Sequence, residues 1–105
     1  MTSNVSIQQQ IKEVVKSTDN SATAILYGSR AKGKARKDSD WDILILLNKA
    51  KVTLKDEQEF RHKLYDLELK IGQPISTFVY SSDDWNTKMS DTPLFKNIKQ
   101  EGKIL

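Results

Sequence analysis

Asp40 and Asp42 flank Trp41 at the head of an apolar run, Ile43-Leu44-Ile45-Leu46-Leu47. Residues two apart on a strand project to one face, so these carboxylates would stand side by side. Two like charges beside apolar residues are costly unless a cation lies between them. Mg²⁺ suits that place, because it takes one or two carboxylates together with substrate phosphates and retained water. The plainer alternative is a polar start to a strand, with Ser39 and Asp40 serving as turn residues.

Upstream stands Gly28-Ser29, directly after the apolar stretch Ala22 to Tyr27. A glycine there lets the chain turn sharply and brings backbone N–H groups close to a ligand. The segment from Gly28 to Lys37 is expected to form a tight turn that opens a short helix. The first amides of such a helix, its dipole and the Ser29 hydroxyl would all favour a phosphate. Gly33 would leave room for a nucleotide above the turn. Taken alone, Gly-Ser is a common turn dipeptide and carries little.

Between these two elements lie Arg30, Lys32, Lys34, Arg36 and Lys37. A cluster of this kind attracts polyphosphate, nucleic acid or an acidic surface, or is simply a solvated loop. No aromatic residues interleave it, so stable nucleic-acid binding is not expected.

The elements that must position these residues form a compact order. Ile7, Ile11, Val14 and Val15 mark a helix over Val5 to Thr18, with Ser3 and Asn4 as candidate caps. Ala22 to Tyr27 and Trp41 to Leu47 read as buried strands. Thr53 and Asp56 form a capping box before a long helix whose apolar face is Phe60, Leu64, Leu67 and Ile71. Gly72 and Pro74 end that helix, and Ile75 to Tyr80 is a third strand. Ser82 is expected to cap a short helix carrying Trp85 and Met89, and Thr92-Pro93 opens a last helix closed by Gly102. The fold class is therefore α/β, a mixed sheet of three or four strands with packed helices.

At 105 residues, with hydrophobic residues at 37% and charged residues at 30%, the chain reads as one domain over residues 1–105. A net charge of +3 is mild, and the absence of cysteine excludes disulfides and thiolate metal sites. No apolar run approaches the roughly 20 residues of a bilayer span, and the first residues lack a signal core. A cytoplasmic setting with no membrane partner is the expectation.

Gly28-Ser29, ten intervening residues and Asp40-x-Asp42 on a strand resemble the signature of the nucleotidyltransferase superfamily that includes DNA polymerase β. Ala31, Gly33 and Ser39 narrow the likeness to the minimal nucleotidyltransferases. These are similar to the antitoxin half of modules whose toxin is a HEPN-domain ribonuclease. The resemblance implies a small nucleotidyltransferase fold that transfers AMP from ATP, with loss of pyrophosphate, to a tyrosine of a HEPN toxin. It implies Gly28 and Ser29 as contacts to the nucleoside triphosphate, Asp40 and Asp42 as Mg²⁺ ligands, and catalysis through Ser29, Asp40 and Asp42. Arg30, Lys32, Arg36 and Lys37 would help to hold the β- and γ-phosphates.

The chain departs from that pattern at one point. The superfamily usually carries a third carboxylate on the next core strand, and Ile75 to Tyr80 contains no acid. Ser76 stands about where it would be, and a serine is a poor metal ligand and no base at neutral pH. Asp83 and Asp84 are better read as acids at a helix start, and Asp66 and Glu68 as solvent-exposed. His62, the one histidine, has no link to the aspartates, and alternation turns Trp41 away from them. Tyr65, Tyr80 and Trp85 read as core or partner-surface aromatics. Two rival functions stay open: an antitoxin that neutralises its partner by binding alone, and transfer to a small molecule. A nucleic-acid polymerase is expected less still, for want of strand-holding domains.

Overall fold

A computed structural model describes residues 4–105. Helix α1 spans Asn4–Thr18 and buries Ile7, Ile11 and Val15 completely. The caps expected at Ser3 and Asn4 lie outside the described residues and side chains. Strand β1 is Thr23–Tyr27, β2 is Trp41–Leu47, and the long helix α2 follows over Leu54–Ile71.

Thr53 Oγ1 accepts the Asp56 N–H at 3.2 Å while Asp56 Oδ2 accepts the Thr53 N–H at 2.9 Å. That reciprocal pair satisfies two of the amides a helix start leaves free, so the capping box forms as its spacing predicts. Phe60, Leu64 and Leu67 are buried on one side of α2, each such side chain contributing about 1.5–3 kcal/mol by leaving water.

Strand β3 is Ile75–Ser81 and runs straight into α3, Ser82–Thr87. The cap of α3 is Ser81 rather than Ser82, because the buried Ser81 hydroxyl accepts the Asp84 N–H at 3.0 Å. Helix α4, Pro93–Glu101, is capped by Thr92 and leads through Gly102 into a short strand β4, Lys103–Ile104.

The four strands lie in the order β3-β2-β1-β4. β2 pairs antiparallel with β1 and parallel with β3, and β1 pairs antiparallel with β4. This is the mixed sheet with packed helices that the sequence predicts, although β4 is too short to carry a periodic signal of its own.

Strand alternation sorts the side chains between two layers. Trp41, Ile43, Ile45 and Leu47 join the core under α1 and α2. Leu44 and Leu46 face the other way, with Trp85 and Ile98 from the shorter helices α3 and α4. Asp40 and Asp42 therefore belong to the thinly covered face, and Trp41 to the thick one. Among the described residues no helix is long and apolar enough to cross a membrane.

Candidate active site

Antiparallel neighbours such as β1 and β2 can be joined by a two-residue turn, yet residues 28–40 intervene here. A connection of that length inside a compact fold usually serves a function. It begins at Gly28, whose φ of 74° places it in the left-handed region. The Ala31 and Lys32 amides both donate to the Gly28 carbonyl, at 3.1 and 3.2 Å, and the Lys34 amide to Ser29 O at 3.1 Å. Those bonds make one closed turn and no more.

The short helix expected after Gly28 does not form. Gly33 takes φ 71° and breaks the helical path within a few residues. The backbone can still offer N–H groups to an anion, but without the dipole of a helix.

Across the sheet, Tyr27 pairs with Asp42 and Asp42 with Ser76. Ser76 Oγ lies 3.4 Å from Asp40 Oδ2. The serine thus occupies the strand position opposite the two aspartates that the sequence assigned to it. A Cβ placed on Gly28 would collide with the Asp42 carboxylate, so the turn and the acid are packed directly on one another.

Burial first, and then the Asp40 charge, push the Asp42 carboxyl above the usual carboxylate range. Burial, Asp42 and Tyr80 together push the Tyr27 phenol up to about 12. Sequence reasoning missed Tyr27, although its place at the end of β1, beside the turn, marks it as part of the site.

The donor set fits Mg²⁺ in the way that ion is commonly held. Two carboxylates stand on one face, a hydroxyl lies beside them, and the remaining positions are left to phosphate oxygens and water. Among the described residues no group of three or more His, Cys, Asp or Glu could hold a metal, so any such site depends on the nucleotide to complete it.

The basic residues part company. Arg30 is used inside the loop: Nη2 donates to Ser39 O at 2.8 Å, to Gln73 Oε1 at 3.1 Å and to Lys37 O at 3.3 Å. Those bonds tie the guanidinium to the loop backbone and to Gln73. Lys32 Nζ lies 3.1 Å from Glu101 Oε2 on α4. Arg36 and Lys37 have exposed side chains, and the Arg36 amide donates to Ser39 Oγ at 2.8 Å.

The remaining candidates lie elsewhere. Glu68, expected in solvent, instead accepts the Ile75 N–H at 2.7 Å and fixes the start of β3. Asp66 is exposed, and Asp83 and Asp84 sit in the first turn of α3. His62 lines a cleft of about 450 Å³ with Arg61, Tyr65 and Thr77, on the α2 side of the sheet. Trp85 is core, Tyr80 lies between Phe78 and Trp85, and Tyr65 is largely exposed.

The family model described as polymerase beta nucleotidyltransferase matches residues 9–105. The chain belongs to that family. Comparison with curated proteins finds no match. Among solved structures, a toxin–antitoxin crystallised with AMP-PNP shares 16% identity at a TM-score of 0.67, covering 92% of this chain and 70% of that one. A tyrosine-to-alanine mutant of the MntA–HpeT toxin–antitoxin shares 17% identity at a TM-score of 0.65, covering 93% and 70%. At these identities the likeness is one of fold. It extends over more than nine-tenths of this nucleotidyltransferase chain.

Proposed function

We propose that this nucleotidyltransferase transfers AMP from ATP to a side-chain hydroxyl of a partner protein, and that the partner is a HEPN-type toxin. The observation that carries the reading is the meeting of Asp40, Asp42 and Ser76 beside the Gly28 turn, on the open face of the sheet. The toxin–antitoxin structures of the same fold, one with a nucleotide analogue bound, support the choice of nucleotide and partner.

In this reading Asp40 and Asp42 hold Mg²⁺, which would neutralise charge on the phosphates and orient the α-phosphate for in-line attack. The Gly28–Ser29 turn binds the triphosphate through backbone N–H groups and the Ser29 hydroxyl. Lys37 and Arg36 stand free to meet the outer phosphates. The acceptor oxygen forms a bond to the α-phosphorus, the bond to the bridging oxygen breaks, and pyrophosphate leaves with its electron pair. Ser76 cannot take the acceptor proton, which passes to water. A tyrosine suits that arrangement, because a phenol with a pKa of about 10 needs less help from a base than an alcohol does.

The test is incubation with labelled ATP, Mg²⁺ and the candidate toxin. Wild type should label the toxin, and an Asp40→Ala/Asp42→Ala variant should not. Equal labelling by both would remove the catalytic reading. The serine at position 76 favours one rival, neutralisation by complex formation alone. That rival predicts that the double variant still protects cells from the toxin.

A further inference from the structure

Three side chains from separate segments meet on one amide oxygen beneath the site. Gln73 Oε1 accepts the Trp41 Nε1–H at 2.8 Å and an Arg30 Nη2–H at 3.1 Å. Indole and guanidinium nitrogens only donate, so the atom they share must be the oxygen of the amide. The Arg30 guanidinium also lies over the Trp41 ring, 4.6 Å from its centroid, where the ring face attracts a cation. Two of its nitrogens, Nη2 and Nε, reach the Ser39 carbonyl at 2.8 and 3.3 Å.

None of the three is aimed at the open face. Trp41 is fully buried in the opposite layer. What the cluster governs is the backbone that carries the site. Ser39, whose carbonyl Arg30 holds, immediately precedes Asp40. Trp41 separates the two aspartates, and its own amide donates to Pro74 O at 2.9 Å. Gln73 stands just before Pro74 and three residues before Ser76.

We infer that Arg30, Trp41 and Gln73 form a clamp that sets Asp40 and Asp42 against Ser76, with Arg30 and Gln73 as positioning residues. The inference rests on the proposed function, since it is a cation with its nucleotide that the set carboxylates would hold. Groups that orient metal ligands from behind commonly matter about 10- to 100-fold in affinity. Gln73 is the informative position, because a glutamate there keeps an acceptor for both donors while a leucine keeps only the bulk.

The experiment measures binding of Mn²⁺ with a non-hydrolysable ATP analogue by calorimetry, and amide exchange of residues 38–42 in the same metal-free samples. Gln73→Leu should weaken binding about 10- to 100-fold and accelerate exchange at Trp41, whose amide donates to Pro74 O. Gln73→Glu should restore both. Should Gln73→Leu fail to fold, Arg30→Lys takes its place, since it keeps charge and stem but loses the planar fork. Wild-type binding and exchange in Gln73→Leu or Arg30→Lys would overturn the clamp, as would a Gln73→Glu no better than the leucine. A wild type that binds no Mn²⁺·nucleotide would instead sink the proposed function, while the exchange data still decide the clamp.

Discussion

Gly28 and Asp42 share one small volume: the carboxylate of the acid fills the space where a side chain at Gly28 would begin. The Gly28 turn and the Asp42 carboxylate are therefore one packed unit. Substitution at either must disturb the other.

Gly28→Ala tests that unit. A non-glycine residue in the left-handed region costs roughly 1–2 kcal/mol, and the new methyl must also displace the Asp42 carboxylate. Thermal melts should show a folded, destabilised protein, and calorimetry should show Mn²⁺·nucleotide binding lost. Retention of wild-type affinity would mean that Asp42 is not held by the turn.

Asp42 ionises less readily in the folded chain than in the unfolded one, because burial and the Asp40 charge oppose its anion. The folded state then binds that proton more tightly, so stability falls as pH rises through the unfolded and then the folded pKa. Asp42→Asn should raise Tm at neutral pH and lose the advantage below about pH 4, where the unfolded carboxyl is also protonated. Added Mn²⁺ with a non-hydrolysable ATP analogue should stabilise wild type and leave the variant unmoved. Melts at several pH values, with and without the metal and nucleotide, decide both points.

Ser76→Asp restores an acid opposite Asp42 and beside Asp40. Without a cation the third charge should lower Tm at neutral pH, since the acids repel one another. With Mg²⁺ and ATP it should raise the rate of AMP transfer, up to the roughly 10²–10⁴-fold that a positioned base contributes. Single-turnover labelling measures the gain, and an unchanged rate would show that proton removal is not what limits this site.

Thr53→Ala removes the cap of α2 far from the carboxylates. About 1 kcal/mol of stability should be lost, with nucleotide binding unaffected. The Asp56 carboxyl is held below its usual range by the Thr53 amide and by Lys49. Its contribution is therefore present at neutral pH and fades as pH falls through the folded value, below about 4. Chemical denaturation at neutral and acid pH measures both effects.

Much of this was legible because it depends on period and spacing. Alternation along β2 alone turns Trp41 away from Asp40 and Asp42, and the folded chain buries it on the far side. The Thr53–Asp56 box and the Phe60–Leu64–Leu67 face are local patterns and were readable for the same reason. What could not be read depends on partners remote in sequence. Arg30 looks like a phosphate ligand between two glycines, and only the approach of Gln73 and Trp41 gives it another task. Glu68 lies off the apolar face of its helix, so nothing in the period of α2 shows it meeting the Ile75 amide. The turn at Gly28 reads as the opening of a short helix, but the left-handed Gly33 cuts it short.

The passage from α2 to β3 is tied at both ends, by the Gly72 amide on Glu68 O at 2.9 Å and by the Trp41 amide on Pro74 O at 2.9 Å. Because strand faces alternate, one residue added or removed there would bring Ile75 or Thr77 up against the carboxylates and turn Ser76 under α2. The turn acts as a ruler whose setting is counted in residues. Its length is thus held as tightly as the identity of Gln73 within it.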